Sequence, residues 1–323
     1  MKRIMISRYF KEYQWSNIAA MIKNNRREPK ICTNDFKDRL VVISGATSGI
    51  GYHTARKFAS HGARLLCINR NEKKSEALKA EIEKEYGVSC EYIIADLSNL
   101  KDIYSAADNL AKIDIPIDVL IHNAGIYLTK RELTAEGFDK VFVVNHLASF
   151  VINILLGEKF KSQERARIIL VNSEGHRFAA WGLQLDDLNW EKRRYSGLKS
   201  YGSAKLAQLL SMLLFAEYFK PWGVTINALH PGAVRSESGQ ENGAVYRWVK
   251  KHLYDKILRP AEISAESIYY LGVSDEVKDI RGKFFNLTTE EEPAPPAIDK
   301  EAAYKLWANS VEMTGVEDII SSF

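Results

Sequence analysis

Cysteine is scarce in this sequence: Cys32, Cys67 and Cys90 form an odd set of three with no metal-ligand spacing, so no metal centre is expected. Cys67 and Cys90 fall in strand-like runs and read as small buried apolar side chains in a reducing, cytoplasmic compartment. No apolar run approaches the ~18 residues that a membrane span requires. Nor does any dense Lys/Arg stripe interleaved with aromatic residues mark a nucleic-acid surface. The excess of positive charge is small, 45 Lys and Arg against 41 Asp and Glu. It fits an anionic small molecule or an acidic membrane surface without demanding either. There is no internal repeat and no clear linker, so residues 36–323 read as one domain with room for a sizeable core.

What precedes that domain has its own pattern. Residues 1–35 carry Lys2, Arg3, Arg8, Lys11, Lys23, Arg26, Arg27 and Lys30 between Ile4, Ile6, Phe10, Trp15, Ile18, Met21 and Ile22. The apolar residues are too interrupted for a secretory signal. Such a basic amphipathic segment suits peripheral contact with a membrane surface. Packing on its own domain, packing on a partner subunit and remaining loose are the alternatives.

From residue 39 short β-branched runs alternate with helical patterns. Strands are expected at Leu40–Ser44, Arg64–Ile68, Cys90–Ile94, Asp118–Ile121, Arg167–Val171, Val224–Ala228 and Gly282–Asn286. Between them come a helix ending at Phe58 and helices over Glu72–Glu85, about Asn99–Ala111 and roughly Thr134–Phe160. Acidic Glu290-Glu291-Glu292 and Pro293 to Pro296 form a stiff loop before a last helix. Continuous rather than alternating apolar strands imply a parallel sheet covered on both faces. The expectation is an α/β Rossmann fold, a doubly wound sheet of about seven strands with its ligand site at the strands' carboxyl ends.

The chemistry-bearing residues fall at those ends. The first strand runs into Ser44-Gly45-Ala46-Thr47-Ser48-Gly49-Ile50-Gly51, a glycine-rich turn opening a helix. Gly45, Thr47, Ser48, Gly49, Ile50 and Gly51 would let a pyrophosphate approach the backbone and meet free N–H groups. The second strand ends in Asn69 and Arg70 where an acid would hold the ribose of NAD(H). A cation there suits the 2′-phosphate of NADP(H), the expected cofactor ahead of NAD(H). Asp96 and Leu97 are placed to meet the adenine, and Asn123-Ala124-Gly125 is a small-residue turn that lets the cofactor pass. Pro231, Gly232, Val234 and Ser236 turn away beside the expected nicotinamide. Tyr201 and Lys205 sit four apart, neighbours on one helix face. An ammonium so placed would lower the phenol's pKa toward neutrality.

Taken in order, these motifs resemble the short-chain dehydrogenase/reductase family over about Phe36 to Phe285. The matching pieces are the glycine motif, the Asn-Ala-Gly turn, Asn145 in Val144-Asn145-His146, Ser173, Tyr201-x-x-x-Lys205 and Pro231-Gly232. Val144 to Leu147 and Asn172 to Phe178 resemble the retinol-dehydrogenase-like branch, with its WW-domain oxidoreductase, protochlorophyllide reductase and polyprenol dehydrogenase types. Leu306-Trp307 with Glu312 to Val316 is similar to the polyprenol dehydrogenase type. Two departures stand out. Ser44 replaces the family's usual Thr, and Asn172-Ser173 replaces a Ser-Ser pair, leaving the catalytic role to Ser173.

The resemblance implies an NADP(H)-dependent oxidoreductase exchanging hydride with a hydrophobic alcohol, aldehyde or ketone. Tyr201 would be the general acid/base, Lys205 would tune it and bind the nicotinamide ribose, Ser173 would hold the substrate oxygen, and Asn145 would complete a proton relay. The family also implies homodimers through the helices carrying Asn145 and Tyr201. Specificity is expected in two stretches. One is the insert before Tyr201, with Trp181, Leu183, Leu185 and Trp190, looping near the mouth of the site. The other is an apolar lid at about 236–259, which on residues alone reads equally as a core-facing helix. Two rival functions remain: a catalytically silent, cofactor-binding regulator of the same fold, and a C=C double-bond reductase. Against the second, all three cysteines precede Asn123.

Overall fold

Aliphatic runs without polar interruption become strands buried on both faces. β1 (Leu40–Ser44), β4 (Val119–His122) and β6 (Thr225–His230) are buried at every position. These and the following elements belong to a computed structural model that describes residues 9–25, 27–163, 165–234, 242–243 and 258–320. With β2 (Arg64–Asn69), β3 (Cys90–Ile94), β5 (Arg167–Val171), β7 (Phe284–Asn286) and β8 (Thr289–Glu290) they form one sheet, ordered β3-β2-β1-β4-β5-β6-β7-β8. All pairings are parallel except β7 with β8. The chain order reverses between β1 and β4, which opens the crevice where a doubly wound sheet holds its ligand. The eighth strand was not expected. It spans two residues and follows Leu287, held at φ 55°, so no apolar run announced it.

One face of the sheet carries α1 (Gly49–Ala59), α2 (Glu72–Tyr86) and α3 (Glu262–Val273), with Phe58 against Tyr269 at 4.9 Å. The other carries α4 (Leu100–Ala111), α5 (Lys140–Leu155), α6 (Gly157–Gln163), α7 (Gly197–Tyr218) and α8 (Lys300–Thr314). The helix expected from Thr134 starts only at Lys140. Thr134 N–H instead donates to Phe138 O at 2.8 Å in a turn with Gly137 at φ 85°, and Asp139 then caps the helix through Phe142 N–H at 3.0 Å. A wide π turn at Val143–Leu147 interrupts α5, and a 51° bend separates it from α6.

Trp307 of α8 is buried between Phe150 of α5 and Phe215 of α7, 4.7 Å from each ring. Helix α8 thus packs against both helices through which the family's homodimers were expected.

Residues of the N-terminal segment form a helix, α0 (Trp15–Asn24), and lie along the C-terminal loops. Tyr9 OH donates to Asp299 at 2.5 Å, Asn24 to Glu291 at 2.8 Å, and Lys30 N–H to Thr288 at 2.9 Å. Of the alternatives for this segment, packing on its own domain holds for these residues. Among the described residues no single helix is long and apolar enough to cross a membrane.

Burial leaves four histidines neutral at pH 7: His122 and His230 are lowered to about 4, and His146 and His176 to about 3. Each binds a proton more readily unfolded than folded, so stability is full above the ordinary histidine value and falls as pH drops below it. Two outcomes are expected. Urea midpoints should fall steeply below pH 6.5, with a shallower fall in His146→Asn than in the parent. Trp307→Ala should cost about 3–5 kcal/mol at neutral pH by urea unfolding; an unchanged midpoint would show that α8 is not held by this packing.

Candidate active site

The turn after β1 and the turn after β4 are locked together. Ser44 Oγ accepts Asn123 N–H and Ala124 N–H, both at 3.0 Å, and the Asn123 amide donates to Ser44 O and Gly45 O, also at 3.0 Å. The hydroxyl that Ser44 shares with threonine is therefore in use. Gly45 has φ 71°, and a Cβ there would lie 3.1 Å from Ala124 Cα. Beyond it the first turn of α1 has no side-chain cap from Ser48 and no acidic residue. Its free N–H groups face a cleft of about 410 Å³.

Of the expected cofactor contacts, Gly45, Thr47, Ser48, Gly49, Ile50, Asn69, Arg70, Asp96, Leu97, Asn123, Ala124, Gly125, Pro231, Gly232 and Val234 line this cleft. Gly51 does not. It is buried behind the turn, where a Cβ would come within 2.1 Å of Gly45 O, so its glycine serves backbone packing. Ser236 lies outside the described residues, as does the expected lid apart from 242–243 and 258–259. Asn69 Oδ1 accepts Ala46 N–H at 2.8 Å, while its buried Nδ2 has no hydrogen-bond partner. An orphaned donor beside Arg70 and an uncapped helix start are a donor set that fits a dinucleotide's phosphates and ribose. Lys74 also lines this end of the cleft, in the first turn of α2. Sequence reading missed it, although a Lys four residues beyond Arg70 was a usable signal.

At the other end the same cleft is lined by Asn145, Ser173, Tyr201, Lys205 and the unanticipated His230. Asn145 sits in the π turn, and its amide is a brace: Nδ2 donates to Ile126 O and Val141 O at 2.9 Å, and Oδ1 accepts Ile126 N–H at 3.2 Å. A relay through this residue is left with its main-chain carbonyl. Asn172, in the place of a family serine, bridges β5 to α7. It donates to Lys205 O and Gln208 Oε1 at 2.9 Å and accepts Ser173 N–H at 2.8 Å. Ser173 Oγ accepts Gly175 N–H at 2.9 Å, which starts the 3₁₀ turn Glu174–Ala179. That turn reaches α7 only because Gly175 and Gly202 lack side chains. A Cβ on Gly175 would lie 2.6 Å from the Tyr201 ring, and one on Gly202 2.8 Å from Gly175 O.

Lys205 Nζ donates to Val171 O at 2.8 Å and lies 5.8 Å from the Tyr201 ring centre. Burial pulls its ammonium down to about 7. The Tyr201 phenol is raised by burial, with a hydrogen bond to Ser173 pulling the other way. The lowering expected from Lys205 is thus corrected: loss of hydration penalises both charged forms, so burial raises the phenol and lowers the ammonium. The specificity insert is a second correction. Leu183 and Trp190 are buried, Leu185 O accepts from Asn309 of α8 at 2.8 Å, Trp181 packs on Tyr13 at 5.9 Å, and none of them lines the cleft.

Comparison with known proteins gives the same picture. The family model described as short chain dehydrogenase matches residues 39–182. Human retinol dehydrogenase 13 is 34% identical over 286 residues, covering 86% of this chain and 85% of its own. The WW domain-containing oxidoreductase of Danio rerio is 32% identical over 283 residues, covering 84% of this chain and 68% of its own. A crystal structure of an uncharacterised Mycobacterium paratuberculosis protein superposes with a TM-score of 0.69 at 28% identity, covering 91% of this chain and 97% of that one.

The tight passage at Gly125 is open to test. A Cβ there would meet Asn145 Oδ1 at 2.6 Å. Gly125→Ala should weaken NADPH binding about tenfold, roughly 1.4 kcal/mol, by fluorescence titration; an unchanged Kd would mean the cleft has slack at this point.

Proposed function

The chain belongs to the short-chain dehydrogenase/reductase family, and on that premise we propose an NADP(H)-dependent enzyme that exchanges hydride with a hydrophobic alcohol, aldehyde or ketone. The coarser statement holds for the family: an NAD(P)-dependent oxidoreductase acting on CH–OH or C=O groups. One observation carries the finer reading. Ser173, Tyr201 and Lys205 line one end of a cleft whose other end offers Arg70, Lys74 and the orphaned Asn69 amide. The nicotinamide, when bound, supplies or takes up the hydride. This chain's residues handle the oxygen and its proton.

A phenol raised by burial is protonated at neutral pH, ready to donate. In the reducing direction Tyr201 gives that proton to the carbonyl oxygen, held by the Ser173 hydroxyl. In the oxidising direction the phenolate takes it from the alcohol. Lys205, tethered to Val171 O, orients the nicotinamide ribose and carries positive charge beside Tyr201 when protonated. Retinol and retinal head the substrate panel, because the names of two relatives carry that alcohol. The N-terminal segment supports a further part of the proposal, contact with a membrane surface. Phe10, Trp15 and Ile22 are exposed, and Lys23 stands in the last turn of α0.

Tyr201→Phe should lower kcat by at least about 10²-fold, with NADPH affinity unchanged; an active variant sinks the assignment. For cofactor choice, replacing Arg70 and Lys74 by alanine should reduce the preference for NADPH over NADH by about 10–100-fold, from charged hydrogen bonds worth ~1.5–3 kcal/mol. Equal effects on the two cofactors would remove the case for NADP(H).

A further inference from the structure

Directly behind Ser173 lies a buried charge cluster that the hydride chemistry does not use. Arg177 Nε donates to Glu174 Oε2 at 2.5 Å, and its Nη2 donates to Glu291 Oε1 at 3.1 Å and to Glu292 O at 3.0 Å. The Glu291 side chain is 1% exposed and the Glu174 side chain 15%. Glu291 Oε2 also accepts from Asn24 of α0 at 2.8 Å and from Asn286 of β7 at 3.2 Å. Asn286 in turn donates to Asn25 at 2.9 Å. Glu174 Oε1 is buried with no hydrogen-bond partner. The main-chain N–H of Glu174 points to Nδ1 of His230, 3.4 Å away, and His230 lines the cleft.

Two carboxyl groups face one guanidinium in a site with little water. If both ionise, one buried negative charge is uncompensated, which is costly. The cheaper arrangement keeps one proton on the pair. The Glu174 carboxyl lies within hydrogen-bond reach of the Glu291 carboxyl, and its Oε1, which no donor reaches, can carry that proton between them. We propose that Glu174 and Glu291 hold a single shared proton across Arg177, and that this acid pair positions the Ser173 turn and ties it to the N-terminal segment through Asn24. This rests on the reading of Ser173 as the residue that holds the substrate oxygen. Glu174 and Glu291 are positioning residues; neither lines the cleft.

The surroundings are consistent with it. Burial raises the Glu174 carboxyl to about 7, with Glu291 adding to the rise and Arg177 opposing it. His230 from β6 and His176 from the same turn are held neutral to about 4 and about 3, so neither charges near neutrality. Tyr13, raised by burial, stays a neutral phenol. Asn24, Asn25 and Asn286 do not titrate. Glu290, on β8, is engaged outside by Lys283 at 2.8 Å. Because the folded value of Glu174 lies above its unfolded one, its contribution is full at low pH and is lost as pH rises toward about 7. Loss of the shared proton then leaves a net negative charge behind Ser173 and loosens the turn.

The test uses the full-length protein. Infrared difference spectra at pH 6 and pH 8 should show a protonated carboxyl stretch that disappears on raising the pH and is absent from both Glu174→Gln and Glu291→Gln. In the same pH range kcat should fall several-fold for the parent and lose that limb in either variant, while NADPH affinity stays constant. Arg177→Met should lower kcat at least tenfold, and adding Glu174→Gln and Glu291→Gln to it should restore most of the rate, which simple misfolding would not allow. No titrating carboxyl in the infrared, or an unchanged pH limb in both Gln variants, overturns the proposal. Ser173→Ala separates the two readings: if it stays active the assignment of Ser173 fails, whereas an inactive Ser173→Ala with unchanged Gln variants sinks the acid pair alone.

Discussion

The site depends on how closely two backbone turns meet at the sheet's reversal point. Ser44 and Gly45 at the end of β1, and Asn123 and Ala124 at the end of β4, are joined by side-chain-to-backbone hydrogen bonds rather than by further strand pairing. Their approach puts a Cβ at Gly45 in tight contact, 3.1 Å from Ala124 Cα, on a backbone at φ 71°, and Gly51 must be bare so that α1 can start against Gly45 O. Shift either turn and the free N–H groups of α1 no longer face the cleft. The opposite wall has the same logic, since Gly175 and Gly202 let a 3₁₀ turn touch α7 and so bring Ser173 to Tyr201. Four bare positions, together with these hydrogen bonds, set where the reactive side chains meet.

Much of this was readable from the residues. Strands buried on both faces announce themselves as unbroken aliphatic runs, and six of the seven expected began within one residue of their observed start. Motifs at strand ends share one edge because the topology of a parallel sheet requires it. What failed to show in the sequence depends on partners far along the chain. The insert reads as a loop near the mouth of the site because nothing local says that Leu185 O meets Asn309 of α8 or that Leu183 joins the core. β8 is too short to carry a period. Thr134 to Asp139 has helix-compatible residues, and the turn is set by the positive φ of Gly137. The direction of the Tyr201 shift was misjudged because spacing reports proximity but not loss of water.

Loss of water also organises the electrostatics. Burial shifts Tyr201, Lys205, Glu174 and four histidines toward their neutral forms, and in each it is the largest cause. A protein surface would have left most of these groups at ordinary values. Here the layer behind the cleft is dry enough that charge is kept only where it is paired, as at Arg177.

The junction of Tyr9 with Asp299 joins residues 290 positions apart. During synthesis at about 5–20 residues per second, the first of these waits roughly 15–60 s for the second to be made. Until then the contacts of the N-terminal segment with Thr288, Glu291 and Asp299 cannot form, whereas Tyr13, which donates to Ala180 O at 2.9 Å and packs on Trp181 at 5.9 Å, has its partners earlier. Docking of the segment is complete only once Asp299, the cap of α8, has been made.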